Sequence, residues 1–270
     1  MSLVLHISDT HFGTEKPAVV QALVALARER RPDLLVFSGD VTQRARPAEF
    51  DAARRFCDAL GVSPVLALPG NHDIPLFNLA ARLWRPYAGY LRAFGPWLEP
   101  TLETDDFLVV GVNTTRAHRH KNGEVSAAQV DRVARRLSAA RPWQLRIVVT
   151  HQPVAVPRPQ DAHDLLRGAT PALHAWSRAG ADLVLGGHIH LPYVMNLRAG
   201  RWPTPGPLWC VQAGTAVSSR VRHGTCNSVN LIHWRPRPVG EVRECRVERC
   251  DYDAAKGAFT LAADTVLRLA

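Results

Sequence analysis

Five short apolar runs in this chain each end in a cluster of Asp, His or Asn. Leu3–Ser8 runs into Asp9-Thr10-His11, and Leu34–Ser38 into Gly39-Asp40. Pro64–Leu68 leads to Gly70-Asn71-His72-Asp73, and Leu145–Thr150 to His151. Asp182–Leu185 leads to Gly186-Gly187-His188-Ile189-His190. A short apolar run bounded by turn residues fits a strand buried on both faces. Parallel-rich sheets bind ligands outside the carboxyl ends of their strands. Loops spread from residue 9 to residue 190 can therefore converge on one place.

Helical patterns alternate with these runs. Ala18–Arg31 carries Val19, Ala22, Leu23 and Leu26 on one face. Pro47–Leu60 has Pro in its first turn and Gly61 after its end. Asn78–Phe94 is aromatic-rich and predicts a helix broken near Pro86, and Pro171–Ala179 predicts another. Ser126–Ala140 opens with Ser126 and Gln129, a capping-box pair. Phe107–Asn113 reads as a further strand. Beyond about residue 205, Leu208–Ala213, Ser228–Trp234 and Glu241–Cys250 read as strands without helices between them. Ala254–Ala270 predicts a last strand or helix packed through Phe259, Leu261 and Val266. Alternation followed by strands predicts an α/β fold completed by an antiparallel or mixed part. The Pro-rich patches Pro153–Pro159, Pro203–Pro207 and Pro236–Pro238 read as loops inside one domain, residues 1–270.

Composition narrows the function classes. The formal charge is +9, but only Lys16, Lys121 and Lys256 are lysines, and the arginines are dispersed. That pattern predicts solvated helix faces, with no clear nucleic-acid motif. No apolar run approaches the ~20 residues of a transmembrane helix. Leu3–Leu5 is too short for a secretory signal and no basic segment precedes it. Five cysteines (Cys57, Cys210, Cys226, Cys245, Cys250) with no C-x-x-C argue against a disulfide framework or a zinc knuckle. A reducing cytoplasm is the expected location.

The strand-end residues are those of a metal site. Imidazole and carboxylate suit Mn, Fe or Zn. One ion needs only three or four protein ligands. Asp9, His11, Asp40, Asn71, His151, His188 and His190 offer seven, which suits two divalent ions sharing one carboxylate. A lone Asp-x-His or His-x-His is a weak signal; the joint occurrence in this order is strong.

This set resembles the calcineurin-like metallophosphoesterase superfamily over residues 3 to about 190. The resemblance implies a four-layer αββα sandwich of two mixed sheets flanked by helices. It implies that Asp9, His11, Asp40 and His190 hold one metal and Asp40, Asn71, His151 and His188 the second. The family's second block often reads G-D-x-x-D-R; here Gln43 replaces the second Asp, and altered tuning around the metals is expected. The compact form looks like bacterial class III cyclic-nucleotide phosphodiesterases and glycerophosphodiesterases. A small anionic phosphoester is the expected substrate, hydrolysed by metal-activated hydroxide, with a nuclease, a phosphomonoesterase or a non-catalytic module as alternatives.

His72 is expected to stabilise phosphoryl charge or protonate the leaving group, with Asp73 orienting it through a hydrogen bond. The polar segment Asn113–Gly123 could cross the substrate cleft through Arg116, His118 or His120, and His223 is a similar candidate. His6, His163, His174 and His233 read as structural.

Overall fold

The computed structural model describes residues 1–199, 203–237 and 241–269. Pro238 and Ala270, which end two of the segments above, lie outside the described residues. The first half of the chain builds one sheet edge: β1 (Ser2–Ile7), α1 (Pro17–Arg30), β2 (Leu34–Phe37), α2 (Pro47–Leu60) and β3 (Val65–Ala67). Asn71–Asp73 forms a 3-10 turn after β3, followed by α3 (Leu79–Trp84) and α4 (Ala88–Phe94). A second sheet then develops through β4 (Thr101–Glu103), β5 (Phe107–Gly111), α5 (Ala127–Ser138), β6 (Leu145–Val149), α6 (Ala169–Arg178), β7 (Leu183–Gly186), β8 (Tyr193–Asn196) and β9 (Trp209–Gln212). Finally β10 (Ser228–Trp234), β11 (Glu244–Asp253) and β12 (Ala258–Arg268) return to the first sheet.

The first sheet has the order β12-β11-β10-β1-β2-β3 and the second β4-β5-β6-β7-β9-β8. β1, β2 and β3 run parallel, and β10, β11 and β12 continue antiparallel from β1. β5, β6, β7 and β9 are parallel, with β4 and β8 antiparallel at the two edges. Both sheets are therefore mixed.

Strand alternation assigns each face its cover. Leu3, Leu5 and Ile7 of β1 point toward α1 and α2, where Val19, Leu23, Phe50 and Phe56 close the outer layer. Val4 points the other way, into a core with Val36, Val109, Ile147, Leu185, Val211 and Trp234 that joins the two sheets. α5 and α6 cover the outer face of the second sheet through Val133, Leu137, Leu173 and Trp176. The result is a four-layer αββα sandwich. Full burial of a large apolar side chain is worth roughly 1.5–3 kcal/mol, so each of the three apolar layers contributes to holding the sandwich together.

The helix punctuation acts as its residue types dictate. Ser126 Oγ accepts from the Gln129 amide, and Gln129 Oε1 accepts from the Ser126 amide. Pro47 opens α2 and Gly61 closes it with a φ of 68°. The aromatic segment does break at Pro86, between α3 and α4. The C-terminal segment is a strand, and only Phe259 of its three expected packing residues is buried. Leu261 and Val266 are each 56% exposed, because β12 is an edge strand.

The four histidines read as structural are held by neighbouring groups. His6 is fully buried between Ser38 and Asn230, and burial drives its pKa down to about 3. His233 lies against Glu248, His163 bonds the Gln160 carbonyl and His174 that of Pro203.

All five cysteines are free, and all but Cys226 are buried. Burial pushes the Cys57 and Cys210 thiols up to about 12 and Cys250 to about 11, leaving little thiolate at neutral pH. We expect a chromogenic disulfide reagent at pH 8 to modify one thiol per native chain, Cys226, and all five after denaturation. Rapid reaction of several thiols in the native protein would contradict this packing.

Candidate metal centre

The three parallel strands of the first sheet and β6 and β7 of the second deliver their loops to one place. The Asp9 amide donates to the Gly39 carbonyl at 3.0 Å and the His11 amide to that of Asp40 at 3.0 Å, laying one loop along the next. Two contacts cross between the sheets. The His188 amide donates to the Asp9 carboxylate at 3.0 and 3.2 Å, and His151 Nδ1 donates to the Ser38 carbonyl at 2.9 Å.

The backbone is bent to make this possible. Asp9, His11, Asp40, His188 and His190 have φ between 41° and 72°, in the left-handed region. Such conformations cost on the order of 1–3 kcal/mol each in residues other than glycine, and they mark functional sites when they cluster. Close approach also needs glycine. A Cβ on Gly70 would lie 2.1 Å from the Asp40 amide nitrogen, and one on Gly187 would lie 2.4 Å from Asp9 Oδ2.

The side chains form two groups of potential ligands. Asp9, His11, Asp40 and His190 place one donor atom each within 4.8 Å of the others, and so do Asp40, His151 and His188. Asp40 belongs to both groups. Its Oδ1 lies 3.3 Å from His151 Nε2, and its Oδ2 lies 3.7 Å from His11 Nε2. A carboxylate presenting one oxygen to each group is placed to bridge two ions. His190 Nε2 lies 3.3 Å from Asp9 Oδ1 and 3.1 Å from His11 Nε2.

Hydrogen bonding fixes which ring nitrogen two of the histidines offer. His151 Nδ1 donates to Ser38 and His190 Nδ1 donates to the Arg220 carbonyl, so both rings turn Nε2 inward. Asn71 Oδ1, His151 Nε2 and His188 Nε2 are buried atoms without a hydrogen-bond partner. Buried polar atoms are normally satisfied. The unpartnered nitrogens of His151 and His188, grouped with the Asp40 carboxylate, and the buried oxygen of Asn71 fit a site for divalent cations, and this donor set suits Mn, Fe or Zn.

The electrostatics agree. Burial would raise Asp9, but the charge and hydrogen bond of His190 outweigh it and hold the carboxyl near 2. Burial would lower His151, but the Asp40 and Asp9 carboxylates drive it up to about 9. Positive charge is demanded at that nitrogen, and a divalent ion supplies it. Burial lowers His11 to about 3, so that ring is a neutral donor.

His72 is half-buried at the rim of the first group, its ring edge-on to His11 at 4.7 Å. Its Nδ1 donates to the Gln43 carbonyl at 3.0 Å, and its amide donates to Asp40 Oδ1 at 2.8 Å. Asp73 does not orient His72, contrary to the sequence expectation. Its carboxylate accepts from the amides of Val41, Thr42 and Gly70 and from the Thr42 hydroxyl, tying the β2 loop to the β3 loop. Burial first, and then the Asp40 charge, raise Asp73 to about 6.

The substrate-loop candidates separate. Arg116 is spent on the carbonyls of Asn113 and Thr115 and on Gln129 Oε1, so it supports the loop rather than facing the centre. His120 is exposed beside the centre, and burial followed by the charges of Arg82, His72 and Arg44 lower its pKa. His118 and His223 are exposed. In the stretch after β9 the residue that reaches the centre is Arg220. Its Nη1 lies 3.2 Å from His72 Nε2 and 2.9 Å from Gln43 Oε1. Asp164, 3.8 Å from His188 Nε2 and 2.6 Å from Lys121 Nζ, was also unmarked in the sequence.

The fold and site together define an αββα sandwich whose strand ends gather two sets of potential cation ligands, and sequence comparison identifies its family. The profile of the calcineurin-like phosphoesterases matches residues 2–192, and the chain belongs to that family. It is 26% identical over 205 residues to a probable cyclic nucleotide phosphodiesterase of Synechococcus, covering 72% of this chain and 75% of that protein. It is 39% identical over 84 residues to a glycerophosphodiester phosphodiesterase of Enterobacter lignolyticus, covering 26% of this chain and 29% of that one. Among solved structures, a dimetal phosphatase from Danio rerio superposes with a TM-score of 0.66 at 14% identity, covering 100% and 99% of the two chains. A yellow-lupin purple acid phosphatase gives 0.68 at 10% identity, covering 99% of this chain and 53% of the lupin chain, which shows a shared fold.

Protein reconstituted with Mn and desalted should carry about two ions per chain by plasma mass spectrometry, as a bridged pair requires. His190→Asn and His188→Asn should each reduce this to about one. Unchanged stoichiometry in both variants would show that these rings do not ligate.

Proposed function

We propose that the protein is a dinuclear metal-dependent phosphodiesterase acting on small anionic diesters of the cyclic-nucleotide or glycerophosphodiester type. The observation that carries the reading is the shared Asp40 with His72 and Arg220 standing beside it on the rim. Asp9, His11, Asp40 and His190 would hold one ion, and Asp40, Asn71, His151 and His188 the other. When bound, such a pair supplies Lewis acidity to the phosphoryl oxygens and lowers the pKa of water to near neutrality.

The remaining work falls to side chains. With Nδ1–H held by the Gln43 carbonyl, His72 Nε2 accepts from Arg220 in the neutral ring, and as imidazolium it would donate to a phosphoryl oxygen or carry a proton to the leaving alkoxide. Its Nδ1 is committed to the Gln43 carbonyl, so the ring cannot turn away. Arg220 is the second donor at this rim and offers a planar guanidinium to phosphate oxygens. Gln43 has a specific part here. Its neutral amide holds Arg220 in place through Oε1 without cancelling the charge, as an Asp at this position would. The diester preference draws support from the names of the two relatives.

Metal-loaded protein should hydrolyse bis(p-nitrophenyl) phosphate faster than p-nitrophenyl phosphate. Cyclic nucleotides or glycerophosphodiesters should compete, and single-stranded DNA should not. A monoester preference would overturn the diesterase reading, and no turnover with Mn, Fe or Zn would overturn the enzyme. His72→Ala should lower kcat by about 10²–10⁴-fold with metal content unchanged. Arg220→Ala should raise KM by roughly 10–100-fold, the value of a charge-assisted contact. Full activity in both would remove these roles.

A further inference from the structure

α3 is built inside out. Its one charged residue, Arg82, turns inward and donates to the carbonyls of Pro75 at 3.2 Å and Arg119 at 2.7 Å. Leu79, Leu83 and Trp84, with Phe77 just before the helix, are 74%, 75%, 76% and 78% exposed. None of the six helical residues is buried. Leu79 and Leu83 stand one turn apart and share a face. Scattered exposed apolar residues are ordinary, but four large ones on one short segment are a ridge, and such ridges mark interaction sites.

The surroundings are cationic. Residues 74–97 contain three arginines and no acidic residue; Arg82 is turned inward and Arg92 is paired with Asp51 at 2.9 Å, so the positive charge is carried by Arg85 together with Arg44 and Arg46, the last 4.0 Å from Glu49. Beside the ridge lies a groove of about 890 Å³ whose walls include Arg44, Arg46, Arg85, Phe77 and Trp84. Arg44 lies over the Phe77 ring, 5.2 Å from its centroid. Leu, Phe and Trp side chains beside arginines are the composition of a segment that lies in a membrane interface, with apolar groups in the acyl boundary and cations among headgroups.

We propose that this ridge docks the protein on an anionic phospholipid bilayer. Charge favours this occupant over a second copy of the chain. A two-fold contact through the ridge would bring Arg44, Arg46 and Arg85 against their own copies, whereas anionic headgroups neutralise them. Docking would also orient the metal centre. Arg119, which takes Arg82, belongs to the loop beside the centre, and Gln43, which holds His72, directly precedes Arg44. A phosphoester at the bilayer surface would then meet the rim of the site.

The test is co-sedimentation of the full-length, Mn-loaded protein with phosphatidylcholine vesicles, with and without phosphatidylglycerol. Binding to the anionic vesicles should exceed binding to the neutral ones by ~100-fold, at about fivefold per arginine at the surface, and should weaken with salt. The double variant Leu83→Glu/Trp84→Glu should bind at least tenfold more weakly and still hydrolyse soluble bis(p-nitrophenyl) phosphate at the parental rate. Leu261→Glu, on the exposed β12 edge, should bind like the parent. The proposal is overturned if the parent stays in the supernatant with both vesicles, or if the double variant binds unchanged. It is also overturned if sedimentation velocity gives a parental dimer that the double variant dissolves. Vesicle binding is read without turnover, so failure of the diesterase reading would leave its result intact.

Discussion

Two carboxylates, Asp9 and Asp40, are buried where the two sheets meet, and the rest of the site is arranged around them. An ionised group out of water is costly unless it is paired and hydrogen-bonded. Here the pairing comes from backbone amides, from imidazoles and from the cations these groups can hold. His188 and His72 give their amides to Asp9 and Asp40, which fixes the two loops that carry them. The strained φ values of five candidate ligands are stable in this setting because the carboxylates and the parallel strands determine the loop paths from several sides.

Much of this was legible in the sequence, because the signal is local. Each candidate ligand follows an apolar run by one to five residues, and a buried parallel strand can only release its polar residues at its end. The α/β alternation followed from helix and strand periods, and the four layers from the family resemblance. What escaped was decided by direction or by long-range approach. Asp73 adjoins His72 in the chain, yet the 3-10 turn points its carboxylate back toward Thr42. Arg116 lies in the polar loop that drew notice, but the carbonyls of its own loop consume it. Arg220 follows β9 in the second sheet and meets Gln43, which follows β2 in the first. No spacing rule joins positions 177 residues apart. The edge strands β4 and β8 have three and four residues, too few to show a period.

Gln43 links the centre to the surface beside it. Its carbonyl orients His72, its amide oxygen holds Arg220, and the next residue begins the cationic groove under α3. A single loop after β2 therefore carries Asp40, holds the Arg220 guanidinium through Gln43 and leaves Arg44 exposed to solvent.

Anomalous scattering from crystals soaked in Mn tests the bridged centre most directly. The structure predicts two peaks about 3.5–4 Å apart, one on each side of the Asp40 carboxylate, with His190 against one and His188 against the other. A single peak, or a pair in which Asp40 touches only one ion, would contradict it.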